Sequence, residues 1–78
     1  MKIKYTKHAE EAILERGVPK ILVEQAILKP DFTQPGRENK IIHFKNMGKN
    51  YLKVVVVQEA TEIVVITLHW IANPRLKL

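Results

Sequence analysis

Residues 51–71, YLKVVVVQEATEIVVITLHWI, constrain this chain more than any other stretch. Two runs rich in β-branched and aromatic residues, 51–57 and 63–71, flank the polar Gln58, Glu59, Ala60, Thr61 and Glu62. Strand-forming runs around a short polar break are the pattern of a β-hairpin. A two-residue turn at Ala60 and Thr61, or a four-residue loop around it, sets Val57 opposite Val64, Val55 opposite Ile66 and Lys53 opposite Leu68. An odd-length loop would flip that pairing. One face then carries Tyr51, Lys53, Val55, Val57, Val64, Ile66, Leu68 and Trp70, and the other Leu52, Val54, Val56, Gln58, Ile63, Val65, Thr67 and His69. The first set is the larger and more apolar, so it is expected to be the face that helices cover. The second turns polar at Thr67 and His69.

The rest of the chain supplies what such a hairpin needs. Ile3 and Tyr5 alternate with Lys2 and Lys4, which suits an edge strand. Thr6 is a good helix N-cap, Glu10 and Glu11 favour the positive end of a helix, and Ala9, Ala12, Ile13 and Arg16 recur every three or four residues. Gly17 then offers a left-handed stop, so a helix is expected over Lys7–Arg16. Leu22, Val23, Ala26 and Ile27 form the apolar stripe of a second helix that opens near Pro19 and ends before Pro30. Residues 31–36, rich in Pro and Gly, read as loop. Residues 38–45 alternate as a strand, and Asn46, Gly48 and Asn50 turn it into the hairpin. The order β-α-α-β-β-β predicts an α+β fold. Two N-terminal helices pack on one face of a three- to four-stranded antiparallel sheet, in a single domain over 1–78. The expected core sets Phe44, Val55, Val57, Ile66, Leu68 and Trp70 against Ile13, Leu22, Val23, Ala26 and Ile27. If the turn after residue 46 holds four residues, Ile41, His43 and Lys45 share the opposite face with Thr67 and His69.

Composition limits the chemistry. Seventy-eight residues, 46% of them hydrophobic, suffice for one small core. The absence of cysteine excludes disulfides and thiolate metal sites and suits a reducing cytosol. The N-terminus lacks the apolar core of a secretion signal and no run is long enough to cross a bilayer, so a soluble cytoplasmic protein without membrane association is expected. The net charge of +5 is unevenly spread. Residues 37–53 hold five bases and only one acid, a basic stretch suited to phosphate or to an acidic partner.

Cleaving RNA without a metal needs a base for the 2′-hydroxyl proton, an acid for the leaving oxygen and cations on the phosphate. His8 in the first helical turn, Arg16 in the last, and His43 and His69 on strands are the candidate catalytic residues. Arg37, Lys45, Thr67 and Arg75 are the candidate substrate-binding residues. Capping by His8, dipole compensation by Arg16 and simple solvation of the two strand histidines are the competing structural roles. The sequence has no HExxH, P-loop, GxGxxG or serine, which leaves a metal site, a nucleotide-phosphate loop and a serine triad unsupported, and no cofactor is expected.

The run Thr6-Lys7-His8-Ala9, then Arg16-Gly17-Val18, Pro30, the Gly36-Arg37 pair and Val65-Ile66-Thr67 resemble a family of small bacterial and archaeal domains of unknown function. That family is similar to toxins of the BrnT and RelE type. The resemblance implies a RelE- or barnase-like fold and a ribonuclease toxin acting on RNA and silenced by an antitoxin protein. This chain departs from the pattern with Ala12 in place of a further helix Arg, and with His69 where an aromatic is common. A non-catalytic module that binds nucleic acid or protein through the same basic surface is the alternative. Formation of a homodimer is left open by the sequence.

Overall fold

The computed structural model describes residues 2–72, so Arg75 lies outside the described residues. The elements are β1 (Lys2–Tyr5), α1 (Lys7–Arg16), α2 (Lys20–Leu28), β2 (Phe32–Pro35), β3 (Lys40–Asn46), β4 (Tyr51–Gln58) and β5 (Glu62–Ile71). The class is α+β as expected, but the sheet has five strands, in the order β1-β5-β4-β3-β2, and it is mixed: β1 pairs with β5 in parallel.

Two strand assignments differ from the sequence reading. The segment that reads as loop contains β2, hairpinned to β3 through a turn in which Glu38 and Asn39 both take left-handed backbone conformations (φ 54° and 64°). The Lys40 amide closes that turn on the Arg37 carbonyl at 3.0 Å. Pro and Gly around so short a strand hide its pattern, while Phe32 is held there by stacking on Phe44 with ring centroids 4.6 Å apart. β1 is parallel rather than antiparallel because the two helices carry the chain over one face and β2, β3 and β4 intervene before β5 arrives.

The larger correction concerns the faces. Near the turn β4 and β5 pair as expected, Gln58 with Ile63, Val57 with Val64 and Val56 with Val65, but a bulge then shifts the register. Beyond it Val55 faces Thr67, Val54 faces Leu68, Lys53 faces His69 and Leu52 faces Trp70; Ile66 is the extra residue. β5 thus presents Ile63 and Val65 to one face before the bulge and Leu68 and Trp70 to the same face after it. This is the helix-covered face. Leu52, Val54, Val56, Ile63, Val65 and Leu68 are buried there against Ala9, Ala12, Val18, Val23, Ala26 and Ile27. Val55, Val57 and Ile66, expected in the core, are only half-buried, and Trp70 is 36% exposed.

The turn after Asn46 holds four residues, and Ile42 and Phe44 share a face with Val55 and Lys53. That face is the one the helices do not cover. Phe44 and Tyr51 are still buried on it, through their contacts with the Phe32 ring.

Thr6 joins three of these elements. Its amide donates to the Val65 carbonyl at 3.1 Å, which ends the β1 ladder. Its hydroxyl accepts from the Ala9 amide at 3.1 Å, capping α1, and donates to the Ile66 carbonyl at 3.0 Å, which is the acceptor at the bulge. At the other end of α1, Gly17 takes φ 62°, and the Val18 amide folds back to the Ile13 carbonyl at 3.0 Å.

Two stability outcomes follow, both measured by urea unfolding. Leu52→Ala, at a fully buried site, loses about 2–5 kcal/mol, while Val57→Ala on the uncovered face loses less than about 1.5 kcal/mol. Thr6→Ala loses about 1–3 kcal/mol through the missing cap and the stranded carbonyl, and Thr6→Ser restores most of it.

Candidate functional site

The bulge decides which candidate residues meet. His69 lies on the uncovered face, directly across from Lys53 on β4, with Thr67 across from Val55 two residues earlier. Directly paired side chains on one face of a sheet have Cβ atoms about 4.5–5.5 Å apart, so this imidazole and this ammonium are neighbours. Burial, and then the positive charges of Arg16, Lys53 and His8, hold His69 below the ordinary imidazole value. α1 runs alongside this part of β5, held at its start by Thr6 on Ile66 and at its end by Trp70 on Arg16, so that His8 from the first turn and Arg16 from the last both act electrostatically on His69. His8 is exposed; Arg16, Lys53, Thr67 and His69 are half-buried.

Trp70 fixes one side of this arrangement. Its indole Nε1–H donates to the Arg16 carbonyl at 3.1 Å, tying the end of α1 to the end of β5. The Arg16 guanidinium lies 3.6 Å from the Glu15 carboxylate, an exposed pair that holds it weakly. The Thr67 hydroxyl oxygen is buried without a hydrogen-bond partner. Of the sequence-predicted catalytic residues, His8, Arg16 and His69 therefore gather at one end of the sheet, with Thr67 beside them.

His43 and Lys45 do not join them. They lie on the helix-covered face, opposite Val54 and Leu52, because the bulge sends Thr67 and His69 the other way. The Lys45 ammonium donates to the Lys29 carbonyl at 2.9 Å and so caps the C-terminal end of α2, where a cation complements the helix dipole. His43 is half-buried, its Nδ1 has no partner, and burial holds it below the ordinary imidazole value. Arg37 sits exposed in the turn before β3, and Lys49 in the turn after it. The basic stretch at 37–53 is consequently spread over both ends and both faces of the sheet. Lys53 alone among its members stands beside His69.

Two residues of the site do not stand out in the sequence. Lys53 is one charge among five there, and only the shifted register sets it opposite His69. Trp70 reads as core. Its one advance signal is that Trp70 and Leu68 alternate out of phase with Val65 and Ile63, the mark a bulge leaves in a strand.

The described surface forms no enclosed pocket around these groups. Among the described residues, no three His, Asp or Glu side chains converge as a metal site would require, and no helix is long and apolar enough to cross a membrane. The family described as domain of unknown function DUF4258 matches residues 5–70, from the last residue of β1 to Trp70. The chain belongs to the DUF4258 family. The match takes in Thr6, both helices, the bulge and every member of the His8, Arg16, Lys53 and His69 cluster. Comparison of this DUF4258 chain with curated proteins and with solved structures gave no match.

His43 supplies an acid-sensitive element apart from this cluster. Because its folded value lies below the unfolded 6.5, its neutral form is the one folding favours. Its contribution is complete above about pH 6.5 and is lost as pH falls from there through the lowered folded value. His43→Leu, with no imidazole to protonate, should show a smaller loss of stability between pH 7.5 and pH 5 than the wild type in denaturant titrations. An equal loss in the two proteins would remove His43 as a cause.

Proposed function

We propose that this DUF4258 chain is a metal-independent ribonuclease of the toxin class, with its reaction centre at His69 and Lys53. The observation that carries the reading is their direct cross-strand pairing, with Arg16 and His8 close enough to act electrostatically on His69. An imidazole held below its ordinary value is neutral near pH 7 and suited to take a proton. In the reaction His69 removes the 2′-hydroxyl proton, and the 2′-oxygen attacks phosphorus. The P–O5′ bond breaks with the leaving oxygen taking a proton from the Lys53 ammonium. The products are a 2′,3′-cyclic phosphate and a 5′-hydroxyl, and the proton on His69 returns to Lys53 through solvent. The Arg16 guanidinium bears the charge that builds on the phosphoryl oxygens, and His8 supplies a further hydrogen bond at the rim. The open, unenclosed surface suits an extended polymer more than a small molecule. A basic surface of this kind is also one that an acidic antitoxin segment can cover, blocking substrate by competition.

The alternative is a binding module that holds nucleic acid without cutting it. It draws support from the exposure of His8 and from the surface lacking a pocket.

A labelled RNA incubated with the purified chain separates the two. The ribonuclease reading expects cleavage that His69→Gln slows by about 10²-fold or more, with Lys53→Met comparably impaired. The rate rises with pH along a limb centred below 6.5, since the base works only when unprotonated and its value is lowered. Binding at low salt weakens linearly in log salt, and replacing Arg16 or Lys53 with a neutral residue flattens the slope by about one unit for each phosphate no longer neutralised. RNA that is bound with that salt dependence but left intact by wild type and His69→Gln alike establishes the binding module instead.

A further inference from the structure

Trp70 is the only tryptophan in the chain and stands at the edge of the basic cluster with 36% of its surface exposed. Its one polar atom is already engaged: Nε1–H donates to the Arg16 carbonyl. What Trp70 turns to solvent is therefore ring surface with no hydrogen bond left to make. Its cross-strand neighbour, Leu52, is fully buried, and the hydrogen bond to Arg16 fixes the indole edge against the end of α1. A ring held in this way loses little conformational freedom when something stacks on it.

The neighbours of that ring are cationic. His69 precedes it on β5 and projects to the opposite side of the strand, toward Lys53, and Arg16 lies at the other end of the indole hydrogen bond. A polymer crossing the end of β5 thus meets positive charge on one side and a flat aromatic surface on the other. That is the pairing by which single-stranded nucleic acids are held, phosphates on cations and bases on rings, without a pocket and with little sequence preference.

We infer that Trp70 is the nucleobase platform of this site, and that the chain takes single-stranded RNA with one base stacked on the indole while the adjoining phosphate lies at Arg16, from which the strand passes round the end of β5 toward Lys53 on the other face. This rests on the RNA reading above and narrows it to unpaired strands, since a base inside a duplex is not free to stack on a protein ring.

The test uses the full chain with a short single-stranded 2′-O-methyl oligonucleotide, which blocks cleavage, the same backbone carrying abasic sites, and the corresponding duplex. End-label anisotropy reports binding, and emission from the sole tryptophan reports stacking. The single strand is expected to quench Trp70 emission. Trp70→Ala weakens its binding about tenfold, whereas Trp70→Phe, which keeps a ring but has no N–H to hold Arg16, weakens it only about two- to threefold. The abasic strand leaves emission unchanged and binds wild type and Trp70→Ala alike. Oligonucleotide binding with ordinary salt dependence but unchanged emission and equal affinity for Trp70→Ala overturns the platform and leaves the RNA reading standing. If Trp70→Phe binds as poorly as Trp70→Ala, the indole serves only to position Arg16, and the platform is likewise overturned. Absence of binding to every oligonucleotide at low salt overturns the RNA reading and the platform with it. Should Trp70→Ala fail to fold, the comparison of intact and abasic strands on the wild type, read by emission, decides alone.

Discussion

Everything that distinguishes one face of this sheet from the other depends on the extra residue at Ile66 and on the hydroxyl that satisfies it. A bulge leaves a backbone group without its ladder partner, and such a group, shielded from water, costs as much as a broken hydrogen bond. Here the Ile66 carbonyl receives the Thr6 hydroxyl proton. Thr6 is held in place because its amide already pairs with Val65 and its oxygen caps α1 at Ala9. One side chain thereby sets the exit of β1, the start of α1 and the phase of β5. Without the shift, the face carrying Leu52, Val54 and Val56 would end in Thr67 and His69, polar groups under the helices. With it, the face continues through Leu68 to the edge at Trp70, and the polar pair goes to the uncovered side.

The same step assembles the chemistry. His69 comes opposite Lys53 only in the shifted register, and Trp70 reaches the Arg16 carbonyl only because it points toward the helices. His43 and Lys45, on a strand with no such shift, keep to the covered face, where one is a half-buried imidazole lacking a partner at Nδ1 and the other caps α2. Core and site are therefore two results of one backbone irregularity, and a histidine's place in the sequence says little about which group it joins.

Much of the frame is legible in the sequence, because its signals are local. Thr6 and Gly17 bound α1 where their capping and left-handed preferences place them, and the alternating runs locate β3, β4 and β5. The turn pairing of Val57 with Val64 follows from the polar break at 58–62. What is not legible is non-local. The parallel seat of β1 depends on the path of two helices, and β2 hides between Pro30 and Pro35, where its main support is a ring stacked from Phe44. A strict two-residue period carried through β5 reverses the faces, though Ile63 and Val65 lie out of phase with Leu68 and Trp70. Of the candidate site, His8, Arg16, Thr67 and His69 stand together, while Lys53 and Trp70 require the register.

Interstrand proton contacts measured by NMR on the labelled chain test the shifted register most directly. The backbone protons of Val57 should show cross-peaks to Val64, those of Lys53 to His69 and those of Leu52 to Trp70, with the pairing changing phase across Ile66. Cross-peaks of Lys53 to Leu68, in an unbroken register from the turn to Tyr51, would contradict both the face assignment and the site built on it.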